Sequence, residues 1–361
     1  MGVKTVINAI GTVTKVGGSV MDPRVLETMA EAAKHYVEIE ALHKACGEYI
    51  AGLLGVEACT ITCGAAAGLA IAAAALIAGC DPAKRLQLPD TSGLKNEVIV
   101  LKCHRILYDQ AILLSGARFV EVGRASSTLP EQVEAAVSER TALFFYVAEC
   151  EPMRGSIPLP SLMPVLKKHG VPVLVDAAAE LPPVSNIQKY LDMGADLVAF
   201  SGGKELRGPQ SSGLVLGRKH LIEACDECCC PNYGIGRSMK IDKETIAGIT
   251  RAVELFLEKD YEQEKERWAR MSMRIAQTLK VCGNAEVRTG YPHEPGVQPV
   301  DILRVYVKPR SRGAEQVLGA LLSGDPQIHV GVSGDELVIN PQCLAPGEEE
   351  AVISALVYAL A

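Results

Sequence analysis

Between residues 59 and 216 the chain repeats one unit, a short and almost uninterrupted apolar run followed by a segment with helical spacing. The runs fall at residues 59–62, 97–101, 118–122, 142–147, 171–175, 196–200 and 213–216. Intervening segments such as 129–137 and 162–169 place apolar residues three and four apart, the period of an amphipathic helix. Strands that are apolar on both faces have to be covered on both faces, and helical crossovers join parallel neighbours. The pattern therefore predicts an α/β fold with a seven-stranded, mostly parallel sheet, in a large domain over residues 21–255. Downstream, residues 301–307, 327–332 and 336–339 alternate more strictly, and 347–361 reads as a closing helix. They predict a smaller α+β domain over residues 256–361, led in by one long polar helix from about 243 to 280. Residues 1–20 are expected to line the cleft or to join the small domain.

Chemically loaded residues collect where these runs end, the edge at which open α/β sheets bind ligands. Lys204 follows the run 196–200 within Phe200-Ser201-Gly202-Gly203-Lys204 and precedes Gly208-Pro209-Gln210. Two glycines ahead of a lysine allow a ligand to approach the amine closely. Asp176 directly follows the run 171–175. An amine and a carboxylate at the ends of successive strands are what a pyridoxal phosphate site requires. The lysine forms the Schiff base, and the aspartate keeps the pyridine nitrogen protonated.

Other strand ends add candidates, each with a plainer reading beside it. Thr62-Cys63-Gly64-Ala65-Ala66-Ala67 opens an Ala-rich helix whose free N–H groups suit a phosphate, although such starts also serve simple packing. His104, in Lys102-Cys103-His104-Arg105, is either a flat ring stacked on a flat cofactor or a satisfied core histidine. Glu149 and Glu180 are general acids or bases if burial raises their pKa, and otherwise solvated carboxylates. Arg105, Arg154, Arg207 and Arg237 are anion clamps or surface residues.

Two competing motifs fail on their partners. Ser201-Gly202-Gly203-Lys204 matches S-x-x-K, but the S-D-N and K-T-G strings of serine acylases are absent. A P-loop would need glycine at Val198 and Ser or Thr at Glu205. Cys225, Cys228, Cys229 and Cys230 contain one C-x-x-C with no second pair following, so they read as reduced thiols without metal.

Several stretches together resemble bacterial selenocysteine synthase and its relatives among fold-type I pyridoxal phosphate enzymes. They are Phe200 to Lys204, Gly208-Pro209-Gln210, Gly213-Leu214-Val215-Leu216-Gly217, the N-terminal Ile7-Asn8-Ala9-Ile10-Gly11-Thr12, and Gly236-Arg237-Ser238-Met239-Lys240 with Lys243-Glu244. The resemblance implies that Lys204 is the Schiff-base lysine, Asp176 the pyridinium partner and His104 the stacking residue. It implies that Gly64, Ala65, Ala66 and Ser201 hold the phosphate and that Arg237 binds a substrate carboxylate or phosphate; Arg105 and Glu149, by their positions after strands, are further substrate-side candidates. Sites of this kind are commonly built between two chains, so a homodimer or higher homo-oligomer is expected.

The chain begins almost at the Ile7-Asn8-Ala9 stretch, without the transfer-RNA-gripping domain of selenocysteine synthases, and its formal charge is −7 with a pI near 5.6. No nucleic-acid partner is expected from that balance. The Ala-rich stretch 64–79 is too short to span a bilayer, and twelve cysteines without a signal core suggest a cytoplasmic setting. The expectation is the small-molecule branch, including D-glucosaminate 6-phosphate ammonia-lyases. Such an enzyme eliminates ammonia from a hydroxy amino acid or an amino-sugar acid, phosphorylated or not, to give a 2-keto acid. Aldol cleavage, racemisation, or a silent subunit that only binds or assembles are the alternatives.

Overall fold

The seven apolar runs form seven strands of one sheet. The computed structural model describes residues 2–361, which divide into two units. One comprises Met21–Glu258 with Glu294–Gly296, and the other Met1–Val20, Lys259–His293 and Val297–Ala361. In chain order the strands are β1 (Val6–Ala9), β2 (Ala58–Thr62), β3 (Glu97–Leu101), β4 (Arg118–Val122), β5 (Thr141–Val147), β6 (Val173–Asp176), β7 (Leu197–Ser201), β8 (Gly213–Gly217), β9 (Ala285–Gly290), β10 (Arg304–Pro309), β11 (Gln327–Ser333) and β12 (Glu336–Ile339).

The larger sheet has the order β2-β8-β7-β6-β5-β3-β4. Strands β7, β6, β5, β3 and β4 are parallel neighbours, whereas β8 is antiparallel to both β7 and β2. Two reversals return β2 to the common direction. The exception has a covalent cause: residues 202–212 are too few to carry a crossover helix, so β8 must double back on β7. All seven residues of β5 are buried, which is why its sequence runs apolar without alternation. The helix Ala65–Ala78 is apolar all round and buried from Gly68 to Ala75, packing on β8, β7, β6 and β5.

The second unit has a five-stranded sheet in the order β1-β11-β12-β10-β9, antiparallel except for the β1–β11 pair. Helices Tyr261–Cys282, Ala314–Ser323 and Glu348–Leu360 pack with it. Two of its strands were not expected. Strand β1 is only four residues long, and β9 is an edge strand with the polar sequence Ala-Glu-Val-Arg-Thr-Gly, so neither carries a clear apolar run. The expected strand over 301–307 begins at Arg304.

The single long polar helix is also corrected. It is two helices, Lys243–Glu258 and Tyr261–Cys282. Asp260 leaves the helical region at φ −78° and ψ 96°, and its side chain accepts from the Glu262 and Gln263 N–H groups. An N-cap inside a continuous helical pattern marks a new start that periodicity alone does not show. Asp260→Ala is expected to cost about 1 kcal/mol, read as a shifted denaturation midpoint. An unchanged midpoint would deny the cap its role.

Candidate active site

Strands β2, β3, β5, β6 and β7 point the same way, so the residues following them share one edge of the sheet. The peptide after β7 turns at once. Gly202 N–H donates to Ser212 O at 2.8 Å and Gly208 N–H to Gly202 O at 2.9 Å, closing the turn that presents Lys204. A Cβ on Gly203 would lie 2.7 Å from Gln210 Cα, and one on Gly202 would lie 2.7 Å from Ile249 Cδ1. The glycines are therefore required by chain packing against residues 210–212 and 249. Access for a ligand, the reason suggested by sequence, is not the constraint seen here.

Lys204 is mostly buried, and burial holds its amine below the ordinary lysine range, opposed by attraction from Asp176, Glu149 and Glu180. Asp176 ends β6 at 8% exposure. Burial raises its carboxyl, while the Ala178 N–H, 3.0 Å from Oδ1, and the Lys204 charge pull it back. Glu149 is raised by burial and then by Asp176, against Lys204. Glu180 is pushed up to about 7, chiefly by burial. One amine thus lies within electrostatic reach of three carboxyl groups whose protons burial holds more tightly, and it can neutralise only one of them.

The anion cradle forms where β2 ends. Gly64 caps the helix Ala65–Ala78 at φ +132°, with no side chain filling the cap and open space where a Cβ would stand. Thr62 Oγ1 donates to Gly64 O at 2.9 Å and steadies the turn. Gly213 pairs with Thr62 on one side and Ser201 on the other, which places Ser201 level with the helix start. A Cβ at Gly213 would sit 2.7 Å from Ala65 N, so this position keeps the cradle open. The uncapped N–H groups, a buried amine and a buried acid at neighbouring strand ends fit pyridoxal phosphate.

Other sequence candidates are placed differently. His104 has no exposed surface. Val147 N–H donates to its Nδ1 at 3.1 Å, so the ring proton is on Nε2, which donates to Ser156 Oγ at 2.8 Å. Its ring meets Tyr146 edge-on, with centroids 4.6 Å apart. These contacts tie β3 to β5 and leave no open face for a flat cofactor. Arg105 is engaged by Asp109 and Glu121 and lies over Phe119, so its charge is compensated locally. Arg237 is exposed on the loop after the helix Lys219–Cys228, its Nη1 3.9 Å from Cys230 Sγ. Arg154 is exposed and Arg207, at φ +53°, is half-buried.

All twelve cysteines are free, and burial raises the thiols of Cys225, Cys228 and Cys229, with Cys228 at about 11. Sequence sought a second ligand group downstream of them, whereas the fold brings His43 from far upstream to within 4.8 Å of Asp226 and Cys229. Its Nε2 hydrogen-bonds Ile61 O at 2.6 Å. Tyr190, which bonds Glu180, also escaped the sequence reading, because nothing in the short helix Asn186–Asp192 marks it as more than a core aromatic.

Burial lowers the His104 pKa from 6.5 to about 4, so the folded protein binds this proton less readily than the unfolded chain. Stability is then full above about pH 6.5 and falls as pH drops toward 4, by on the order of 3 kcal/mol. Denaturant melts across that window should show a smaller loss in His104→Gln. Equal acid sensitivity in both proteins would contradict it.

The family model described as SelA, L-seryl-tRNA selenium transferase, matches residues 6–286. A 5'-C-glycyluridine monooxygenase-decarboxylase from a Streptomyces species is 35% identical, over 99% of this chain and 90% of that protein. A D-glucosaminate-6-phosphate ammonia lyase from Salmonella typhimurium is 39% identical over 70% of this chain and 68% of that protein. The solved structure of a D-glucosaminate-6-phosphate ammonia-lyase matches with a TM-score of 0.85 at 30% identity, covering 99% of this chain and 96% of that one. The chain therefore belongs to the L-seryl-tRNA selenium transferase family, as a fold-type I enzyme whose cofactor is pyridoxal phosphate.

Proposed function

We propose that this enzyme is a lyase that eliminates ammonia from a β-hydroxy amino acid or an amino-sugar acid to give a 2-keto acid. The observation that carries this reading is the placement of Lys204 just beyond β7 and of Asp176 at the end of β6, two strands paired in parallel with Asp176 opposite Ala199. It occurs in a chain 39% identical to an ammonia lyase acting on D-glucosaminate 6-phosphate.

Bound pyridoxal phosphate supplies an electron sink that makes the substrate's α-hydrogen acidic. The protein does the rest. Lys204 would hold the cofactor, and its amine, when free, would take the α-proton. Burial favours this by keeping the amine more readily neutral. Asp176 would keep a proton on the ring nitrogen. The N–H groups that follow Gly64, at Ala65 and Ala66, would hold the cofactor phosphate together with Ser201. Arg237 is the candidate for a substrate carboxylate or phosphate, and Glu149, which follows β5, is a second candidate on the substrate side. Arg105, already paired, is a weaker candidate. His104 fixes the ends of β3 and β5 and so positions the site. In this scheme residues 21–255 act as the cofactor domain and 256–361 as the smaller domain.

Free thiols throughout suit a reducing cytoplasm, and no helix among the described residues is long and apolar enough to cross a membrane. A homodimer or larger homo-oligomer, acting on a small molecule and not on nucleic acid, completes the reading.

A second reading is favoured by one observation. The monooxygenase-decarboxylase relative aligns with 99% of this chain. On that reading the same lysine and aspartate would serve an oxygen-dependent decarboxylation of an amino acid. The two reactions separate cleanly under nitrogen. Elimination should give equal amounts of ammonia and keto acid without dioxygen, and Lys204→Ala should lose at least about 10²–10⁴-fold in rate. Turnover that requires dioxygen and releases carbon dioxide would replace the lyase reading.

A further inference from the structure

Glu180 is more constrained than its neighbours. It lies on the turn after β6, with its N–H bonded to Ala177 O at 3.1 Å and its own carbonyl held by Asn186 Nδ2 at 2.7 Å. Its side chain is 5% exposed, yet Oε1 is buried without a hydrogen-bond partner. The other oxygen, Oε2, accepts from Tyr190 Oη at 3.4 Å. Tyr190 is fully buried and accepts in turn from Lys189 Nζ at 3.3 Å. Lys189 is about one-third exposed and lies 3.6 Å from Glu151 Oε2, itself one-quarter exposed. A continuous polar chain therefore runs from the buried Glu180 carboxyl to the partly exposed Lys189–Glu151 pair. Such contacts are often long before substrate binds and tighten afterwards.

Resting on the elimination reading, we propose that Glu180 is the proton donor to the group leaving the substrate's β-carbon, and that Tyr190 and Lys189 reload it from solvent. Elimination needs a base for the α-proton and an acid for the leaving oxygen. Lys204 takes the α-proton, and a second group that already carries a proton can act as the acid without waiting for that proton to be handed on. The carbon–oxygen bond breaks with its electron pair going to oxygen, and the Glu180 proton joins that oxygen to give water. The carboxylate left behind recovers a proton from Tyr190 Oη as Tyr190 receives one from Lys189 Nζ, and Lys189 takes one from water. The α-proton on Lys204 passes to solvent when the amine is next needed neutral.

The charges around Glu180 are consistent with this cycle. Burial, Glu151 and Glu149 favour its neutral form, while Lys189 and the Tyr190 hydroxyl favour the carboxylate, which balances it near neutrality. Attraction between Glu180 and the Lys204 amine also places the two within electrostatic reach. Tyr190 itself stays neutral, since burial and the nearby carboxylates oppose its ionisation.

Infrared difference spectroscopy of the cofactor-free protein tests the donor without any turnover. A protonated carboxyl band should titrate near 7 in the wild type and vanish in Glu180→Gln. Its presence unchanged in that variant, or its absence from the wild type, overturns the proposal.

The loaded enzyme then compares serine with 3-chloroalanine, because chloride departs without a proton. Glu180→Gln should lose about 10²–10⁴-fold on serine and stay within a few-fold on 3-chloroalanine, whereas equal losses on both overturn the donor role. Tyr190→Phe should keep the first turnover and slow the following ones, and an unchanged steady rate removes the reloading path. A wild type that eliminates from neither compound, nor from an amino-sugar acid, defeats the lyase reading and leaves the infrared result to decide on Glu180.

Discussion

Burial of the Lys204 amine among acidic strand ends is the constraint on which the site depends. A lysine taken out of water loses hydration that its own charge cannot replace, so its proton is held less tightly. Asp176, Glu149 and Glu180 partly restore the charged form, and each is itself raised by burial. The result is an amine that holds its proton less tightly than usual beside carboxyl groups that hold theirs more tightly. That is a useful condition for chemistry in which protons are removed from one atom and delivered to another.

The scaffold holds this group by ordinary packing. Five strands ending at one edge bring Thr62, His104, Glu149, Asp176 and Ser201 together from distant parts of the sequence. The short return from β7 to β8 forces one antiparallel strand, and that strand carries Gly213 to the start of the phosphate-suited helix. His104, with both ring nitrogens satisfied and no open face, belongs to this scaffold. A neutral buried imidazole is the cheapest way to bridge two strand ends that lack other polar partners.

Much of this was legible in the sequence, for a physical reason. Strands covered on both faces must be apolar along nearly their whole length, so β3 and the body of β5 announce themselves. Asp176 was legible because a charged residue directly after such a run has few structural reasons to be there, and Lys204 because two glycines separate it from the end of the next strand. Strand β9 and the break at Asp260 were not, since an edge strand and an internal cap leave the local composition unchanged. The glycines before Lys204 were noticed, but their cause lies in Gln210, Ser212 and Ile249, which only the folded chain brings near. The Tyr190–Glu180 contact is likewise invisible to spacing, because both residues look like ordinary core and loop positions until they meet.

The central claim is that Lys204 is the one amine placed to hold the cofactor. Borohydride reduction of the protein loaded with pyridoxal phosphate, followed by peptide mass mapping, tests it most directly. The account predicts a single reduced adduct on the peptide containing Gly203 and Lys204, at one cofactor per chain. An adduct on a different lysine, or protein that takes up pyridoxal phosphate without any covalent linkage, would contradict it.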